Sequence, residues 1–349
     1  MGSWKETVSI LRNIRSSVLS PTPSNLKVKN LPTYHTYEAA LTASTEYFGG
    51  DDLAARVFVD KYALRDTRQN ILELTPTDMH RRIAKEFARI EAAKYCEGVA
   101  YTEETIFNAL DKFKRIVPQG SPMYGIGNPY QTISLSNCYV IESPEDSYAG
   151  ICRADEELVQ ISKRRGGCGI DLASLRPEGT STKNAARTST GTIPFAERYS
   201  NSIREVGQNG RRGALMLSQS IHHPDIKRFI MCKRDLTKVT GANISVRLTD
   251  DFLQAVEKDE DYIQAWPLTG GKPNANTANG VAVSAKKIWN MLIASAHATA
   301  EPGMLMWDNI LKESIPDCYE SDGFKTVCTN PCSEIPLSPY DSCRLMLLN

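Results

Sequence analysis

The residues best equipped for chemistry stand close together in Asn330-Pro331-Cys332-Ser333-Glu334, and a further thiol, Cys343, follows eleven residues after Cys332. The amide of Asn330 can hold hydroxyl groups, the thiol of Cys332 can carry redox chemistry, and Glu334 can take a proton. Together they suit work on a polyhydroxyl substrate. A strand points residues i, i+2 and i+4 to the same side, and Pro331 disfavours helical geometry for Asn330. The spacing therefore predicts an extended segment that aims all three groups into one pocket. The competing reading is a turn before a strand, with a thiol that only packs.

The elements that position such a segment must come from the rest of the 349 residues, enough for one large α/β domain or two ordinary ones. Forty-one basic residues balance forty-one acidic ones, so no overall field points to nucleic acid or an anionic membrane. No apolar run approaches the roughly 20 residues that span a bilayer, and the first residues lack the apolar core of a signal peptide. Nine cysteines (96, 138, 152, 168, 232, 318, 328, 332 and 343) lack a framework spacing and read as reduced thiols, which makes the cytoplasm the expected compartment. Cys318, Cys328, Cys332 and Cys343 have no two-residue knuckle spacing and no histidine nearby, so no metal site is expected.

The pattern divides the chain into an N-terminal segment and linker (1–33), a helical region (34–120) and an α/β region (121–349). An amphipathic piece, Trp4 to Val18, precedes a Pro/Ser/Asn stretch, Pro21 to Pro32. Helical spacing dominates from Leu53 to Val117. Thr77 is predicted to cap a helix through Arg82, Phe87 and Ile90, and Thr102 to cap the next, Ile106 to Val117. Beyond Pro118, β-type runs (Thr132-Ile-Ser-Leu135 and Cys138-Tyr-Val-Ile141) alternate with helical ones (Pro194 to Val206 and Ser284 to Ala300). In the last helix Ile288, Met291, Leu292 and Ala296 make the apolar stripe, with Ser295 a polar gap at i+7. Such alternation predicts an α/β fold, a βα-repeated sheet or barrel. The run Cys343-Arg-Leu-Met-Leu-Leu-Asn349 is apolar and strand-like, and is expected to end inside a core, leaving the domain incomplete.

Four further motifs precede Asn330–Glu334: Ser134-Leu-Ser-Asn-Cys138; Arg165-Gly-Gly-Cys-Gly-Ile-Asp171 with Leu175-Arg-Pro-Glu-Gly179; Gly207-Gln-Asn-Gly-Arg-Arg-Gly-Ala214 with His223-Pro-Asp-Ile226; and Glu301-Pro-Gly-Met304 with Trp307-Asp308. Alone, the glycine-rich basic loop 207–214 reads as a phosphate cradle or a surface loop. Taken in order over about residues 80–349, the five motifs resemble the catalytic subunit of ribonucleotide reductase. The resemblance implies a mostly helical N-terminal region followed by the first part of a ten-stranded α/β barrel with a central finger loop. It implies that Cys332 becomes a thiyl radical and removes the 3′-hydrogen of a ribonucleotide. Glu334 would take the 3′-hydroxyl proton, and Asn330 would bind the ribose hydroxyls. Cys138 and Cys343 would close to a disulfide as the 2′-hydroxyl leaves as water, which requires Cα atoms within about 7 Å. Ser121 and Asn137 would sit on the substrate side. A deoxynucleotide effector would lie near Asp146, Ser147 and Arg176 under a loop around Lys183 and Arg187, with Gln208, Arg211 and Arg212 on a loop between effector and substrate base. Cys168, Cys232, His222 and His223 read as structural.

By the same resemblance the radical source is adenosylcobalamin; the alternative is a separate metal-containing small subunit. An ATP-cone is not recognisable in residues 1–50, so specificity control is expected and overall activity control is not. The implied partners are a ribonucleotide substrate, a deoxynucleotide effector, a thioredoxin-like thiol reductant, a second copy in a homodimer, and a second chain that completes the barrel. The gene is expected to be split, interrupted or given in part, and the chain alone to be inactive. Two rival functions are a non-catalytic nucleotide-binding fragment and a glycyl-radical lyase, in which Cys138 and Cys343 would have no evident job.

Overall fold

The computed structural model describes residues 32–95, 101–206, 213–273 and 280–349, and the elements below belong to one unit, His35–Asn349. The expected piece Trp4 to Val18, most of the linker, and Gln208, Arg211 and Arg212 lie outside the described residues.

Four helices come first: α1 (Tyr37–Tyr47), α2 (Asp52–Lys61), α3 (Pro76–Lys94) and α4 (Glu103–Leu110). Thr36, Asp51 and Thr102 each accept a backbone N–H of the first turn and so satisfy donors the helix leaves orphaned. The cap of α3 is Thr75 rather than Thr77, because Pro76 occupies the first helical position and Asp78 reaches back to the N–H groups of Leu74 and Thr75. The helix α4 ends at Leu110, short of the expected Val117. Lys112 and Phe113 take left-handed φ of 53° and 55°, which turns the Phe113 ring onto buried His80 at 4.6 Å between centroids. Ile116–Pro118 then runs as a short strand, antiparallel to Met346–Leu348. Those last residues are 55–76% exposed, so the expectation that the run ends inside a core is not met: backbone pairing makes it a strand.

After α5 (Gly120–Gly125) the chain alternates: β1 (Cys138–Val140), α6 (Tyr148–Ser162), β2 (Gly167–Asp171), α7 (Ile193–Glu205), β3 (Leu215–Ser220), α8 (Ile226–Met231), β4 (Asn243–Leu248), α9 (Asp250–Lys258), α10 (Ala285–Thr299), β5 (Gly303–Met306), α11 (Trp307–Glu313) and β6 (Ser342–Cys343). Strands order as β5-β4-β3-β2-β1-β6; β1 to β5 are parallel and β6 is antiparallel to β1. Among the described residues β5 and β6 each pair on one side only. A helical region followed by an open, mostly parallel sheet is the α/β architecture expected, an incomplete barrel.

Alternation along the strands sorts their side chains. Cys168, Ile170, Leu215, Leu217, Ile244 and Val246 pack with Leu158, Tyr199, Ile288 and Leu292 of the helices in one core. Each large apolar side chain so buried stabilises the fold by about 1.5–3 kcal/mol. On α10 the polar Ser295 lies within the buried stripe, its hydroxyl against Met231 Sδ at 3.5 Å, while Ala296 is only partly covered. Thr132–Leu135 is not a strand; Ser134 Oγ bonds the Ser136 carbonyl and N–H, which competes with sheet pairing.

Candidate active site

The segment Asn330–Glu334 forms the tip of a hairpin. Cys328–Thr329 pairs antiparallel with Pro336–Leu337, and the Ser333 N–H donates to the Asn330 carbonyl at 3.0 Å, closing a β-turn with Pro331 and Cys332 at its centre. The extended segment read from the sequence is therefore replaced by a turn. The physical reason is in the same residues: Asn before Pro is as strong a signal for turn positions i and i+1 as for a strand. Asn330 locks the tip, its N–H donating to the Ile335 carbonyl (3.1 Å) and its Oδ1 accepting the Ile335 N–H (3.0 Å). Asn330 is fully buried while Cys332 and Glu334 are exposed. Among the described residues, Asn330 Nδ2 has no hydrogen-bond partner, a donor left for a hydroxyl to satisfy.

The hairpin lies on the face of the sheet away from the helices. Gly167 and Gly169 make the bed: a Cβ on Gly169 would stand 1.9 Å from the Thr329 carbonyl oxygen, and one on Gly167 2.8 Å from Pro331 Cγ. Asn243 Nδ2 donates to the Pro331 carbonyl (3.0 Å), and Arg247 Nη1 to that of Val327 (3.4 Å). Beneath the root, Cys328 Sγ donates to Ser218 Oγ, Ser218 to Asp171 Oδ1 (2.8 Å), and Arg247 Nη2 to Asp171 Oδ2 (2.8 Å). Burial pushes the Asp171 carboxyl up, and Arg247 and Ser218 oppose it. Ser218 and Arg247 were missed from the sequence, where Cys328 reads only as a candidate metal ligand and Asp171 only as the end of a glycine-rich motif. The available signal was Asn243-Ile-Ser-Val-Arg247, polar at every second position of an otherwise apolar strand.

Cys138 opens β1 and Cys343 closes β6, and the two are directly opposed in the antiparallel register. That relation sets Cα atoms about 4.5–5.5 Å apart, inside the window of a disulfide. Both are buried, and both are thiols here. Burial pushes the Cys343 thiol up to about 12, with Cys138, Glu334 and Cys332 near enough to add to the rise. The two facing thiols and the hairpin tip thus share one neighbourhood, at the N-terminal ends of the parallel strands. Ser121 and Asn137 adjoin it: the Ser121 N–H donates to Asn137 Oδ1 (3.0 Å), its hydroxyl to the Arg165 carbonyl (3.3 Å), and the Gly167 N–H to the Asn137 carbonyl (2.7 Å). Both side chains are buried in these bonds, which fix β1 beside β2. Cys168 and Cys232 are buried in the core, and His222 and His223 bond backbone carbonyls.

Asp146, Ser147, Arg176 and Lys183 line a separate cavity of about 580 Å³, together with Tyr148, Ile151 and Phe195, an apolar wall that the sequence reading missed. Arg176 is paired with Asp146 at 2.7 Å and Ser147 caps α6, so both have structural partners as well. Arg187 does not line the cavity. Among the described residues no cluster is placed to hold a metal ion, and no helix is long and apolar enough to cross a membrane.

Comparison with known proteins gives a consistent result. Residues 136–349 match the family model for the ribonucleotide reductase barrel domain. A vitamin B12-dependent ribonucleoside-diphosphate reductase of Mycobacterium tuberculosis (strain CDC 1551 / Oshkosh) is 29% identical over 302 residues, which cover 85% of this chain and 41% of the relative. One of Thermoplasma acidophilum is 26% identical over 385 residues, covering 92% and 48%. The ribonucleoside-diphosphate reductase large subunit of Caenorhabditis elegans is 25% identical over 223 residues, covering 58% and 28%. The chain spans less than half the length of each of these relatives.

Proposed function

The chain belongs to the ribonucleotide reductase family, and from that premise we propose that it carries the thiol chemistry and the effector cavity of an enzyme that reduces ribonucleotides to 2′-deoxyribonucleotides. The observation that carries the reading is Cys138 facing Cys343 across two antiparallel strands, beside a hairpin tip that holds Cys332. The Cys332 sulfur, as a thiyl radical, takes the 3′-hydrogen atom of the ribose. Glu334 takes the 3′-hydroxyl proton, and Asn330 Nδ2 donates to a ribose hydroxyl. The 2′-hydroxyl then leaves as water with the proton of one of the Cys138 and Cys343 thiols, and the hydrogen of the other goes to the 2′-carbon. The two sulfurs, having given up two electrons, close to a disulfide while Glu334 returns its proton to the 3′-oxygen. Cys332 finally returns a hydrogen atom to the 3′-carbon. One thiol pair is oxidised per ribonucleotide reduced, so an external dithiol of the thioredoxin type must restore it.

Two of the relatives are named for vitamin B12, and Cys332 is the residue such a group must reach. Its exposure at the tip fits that approach. When bound, adenosylcobalamin supplies the one-electron oxidation of the Cys332 thiol. Domain limits at 33 and 120, a homodimer, a second chain that completes the barrel, and a cytoplasmic location belong to the same proposal. The cavity beside Asp146 independently favours a second reading, a chain that binds deoxynucleotides without turning over substrate.

Oxidation of the reduced chain with diamide, followed by peptide mass spectrometry, tests the site. The expected product is a Cys138–Cys343 disulfide; a dominant bridge from Cys332 or Cys328 would overturn the assignment. Loss of ribonucleotide reduction in Cys332→Ser, in a preparation completed by the rest of the subunit, separates the first reading from the second.

A further inference from the structure

The outer wall of the 580 Å³ cavity is a small hairpin of chain. The Gly179 N–H donates to the Ser189 carbonyl (2.9 Å), the Ser189 N–H to that of Thr180 (2.8 Å), and the Thr182 N–H to that of Arg187 (2.7 Å). Ser181 bridges Thr188. Between these bonds run Ser181, Thr182, Lys183 and Asn184, which face the cavity. The hairpin's two legs join the body at Glu178 and Thr192.

One side chain holds both legs. Asp225 Oδ1 accepts the Glu178 N–H at 3.0 Å, and Oδ2 accepts the Thr192 N–H at 2.8 Å and its hydroxyl at 3.3 Å. The carboxylate is 4% exposed, and a buried acceptor with three donors holds its geometry tightly. The fit leaves no slack: Gly191 has φ +79°, and a Cβ there would stand 2.4 Å from Asp225 Oδ2. His223 grips the strand side of the same base. Its Nδ1 accepts the Asp225 N–H (3.0 Å), so Nε2 carries the proton and donates to the Leu175 carbonyl at 2.8 Å. Arg228 adds an outer brace, to the Thr190 carbonyl (3.3 Å) and to Glu178 Oε2 (2.8 Å). Asp225 lies just beyond β3, the strand whose Ser218 bonds the root of the Cys332 hairpin.

We propose that Asp225 is the positioning residue of the cavity: by clamping both legs of the 178–192 hairpin it sets the height of Lys183 and its neighbours over Asp146 and Ser147, and so the affinity for the deoxynucleoside triphosphate bound between them. This rests on the reading of the cavity as a deoxynucleotide site. The second half of the motif His223-Pro-Asp-Ile226 thereby gains a task that a helix start alone does not explain.

The test uses the 349-residue chain with Asp225→Asn, which keeps the shape but turns an NH₂ group toward N–H donors, and Thr192→Val, which leaves the Asp225 carboxylate intact and removes one donor. Amide hydrogen exchange over 178–192 reads the clamp; titration with dATP and dTTP reads the cavity. For Asp225→Asn the expected result is about tenfold or faster exchange at Glu178 and Thr192, and about tenfold or greater loss of affinity for the probe that binds, with exchange in α10 unchanged. Thr192→Val should shift both readings in the same direction by a few-fold, and it stands in for the first variant should that one fail to fold. Exchange and affinity within about twofold of the unsubstituted chain overturn the clamp. Failure of both probes to bind the unsubstituted chain overturns the nucleotide reading and the affinity claim with it, while exchange still decides whether Asp225 holds the legs.

Discussion

Gly169→Ala is the sharpest test of where the Cys332 hairpin lies. The added Cβ would stand 1.9 Å from the Thr329 carbonyl oxygen, where real Cβ contacts essentially never fall below 3.0 Å. The difference, 3.0 − 1.9 = 1.1 Å, is the least displacement that relieves the clash. The obstacle is backbone, so no side-chain rotation removes it. The hairpin must lift, taking Cys328 and Leu337 off Val140 and Met216, or the strand must bend. Overpacking of this kind costs about 1–3 kcal/mol. The sign makes the test decisive. Gly169 has no left-handed φ, so in an open strand alanine there would stabilise by roughly 0.5–1 kcal/mol through the entropy of the unfolded chain. Urea unfolding of Gly169→Ala, with Gly167→Ala as the milder comparison at 2.8 Å from a proline ring, should show net destabilisation, larger at 169. In an active preparation, a lift of about 1 Å at the thiol should lower turnover on the order of a hundredfold. A Gly169→Ala chain as stable as the parent, or more so, would refute the placement of the hairpin and with it the geometry assigned to Cys332.

Two further outcomes follow from the same site. Because burial pushes the Cys343 thiol up to about 12 from an ordinary 9.0, the folded chain holds that proton more tightly than the unfolded one. Its contribution to stability is therefore fully present below about pH 9 and is lost as pH rises through 12. Melting temperature should fall over that interval, less steeply in Cys343→Ser, and iodoacetamide at pH 7.5 should label Cys332 well before Cys343; a melting temperature that climbs above pH 9, or equal labelling, refutes the buried-thiol assignment. Arg247→Met removes the partner of a buried carboxylate and should cost about 3–5 kcal/mol in urea unfolding, while Asp171→Leu combined with Arg247→Met should recover much of that loss. Equal losses in the single and double variants would show that the ion pair is not what holds the hairpin root.

The sequence made the α/β alternation and the chemical groups legible, because both are carried by residue type and period. Asn330–Glu334 and Cys343 needed no structure to be picked out, and the family resemblance alone set Cys138 apart from the other cysteines. Their relative placement did need one, since register is decided by pairing between residues 205 positions apart (343 − 138) and leaves no local trace. The misreadings share a cause: a residue with two local meanings. Asn-Pro reads as extended or as a turn, and the hairpin's own pairing chose the turn. Thr77 and Thr75 are both competent caps, and Pro76 decided between them. Met346–Leu348 reads as a core strand by composition, yet lies exposed because its partner is the short strand Ile116–Pro118. The glycines of Arg165-Gly-Gly-Cys-Gly169 show the converse. Nothing in the sequence tells a flexible loop from a floor that must lack side chains, and only the overlying Thr329 and Pro331 separate the two.

The arrangement also departs from the usual habit of parallel α/β sheets, which bind ligands beyond the C-terminal ends of their strands. Here that end carries the cavity: Asp146 follows β1, Arg176 follows β2 and Asp225 follows β3. The thiols are at the other end, where Cys138 begins β1 and the hairpin delivers its turn against Gly167, the first residue of β2. The hairpin makes this possible by running along the sheet from Val327, held at Arg247 near the end of β4, to Pro331, held at Asn243 at its start. Five residues of β2 separate the two ends, about 13 Å at a strand's rise. A ligand in the cavity can bias the thiol site only through elements that touch both ends and have unequal energies in two arrangements. The strand β3 touches both ends, with Asp225 just past one and Ser218 bonded to Asp171 and Cys328 under the hairpin root. A shift of β3 along its axis would therefore reach the hairpin root through the Ser218–Cys328 hydrogen bond, and β1 offers a second path, with Asp146 beyond one end and Cys138 and Val140 against Cys343 and the hairpin.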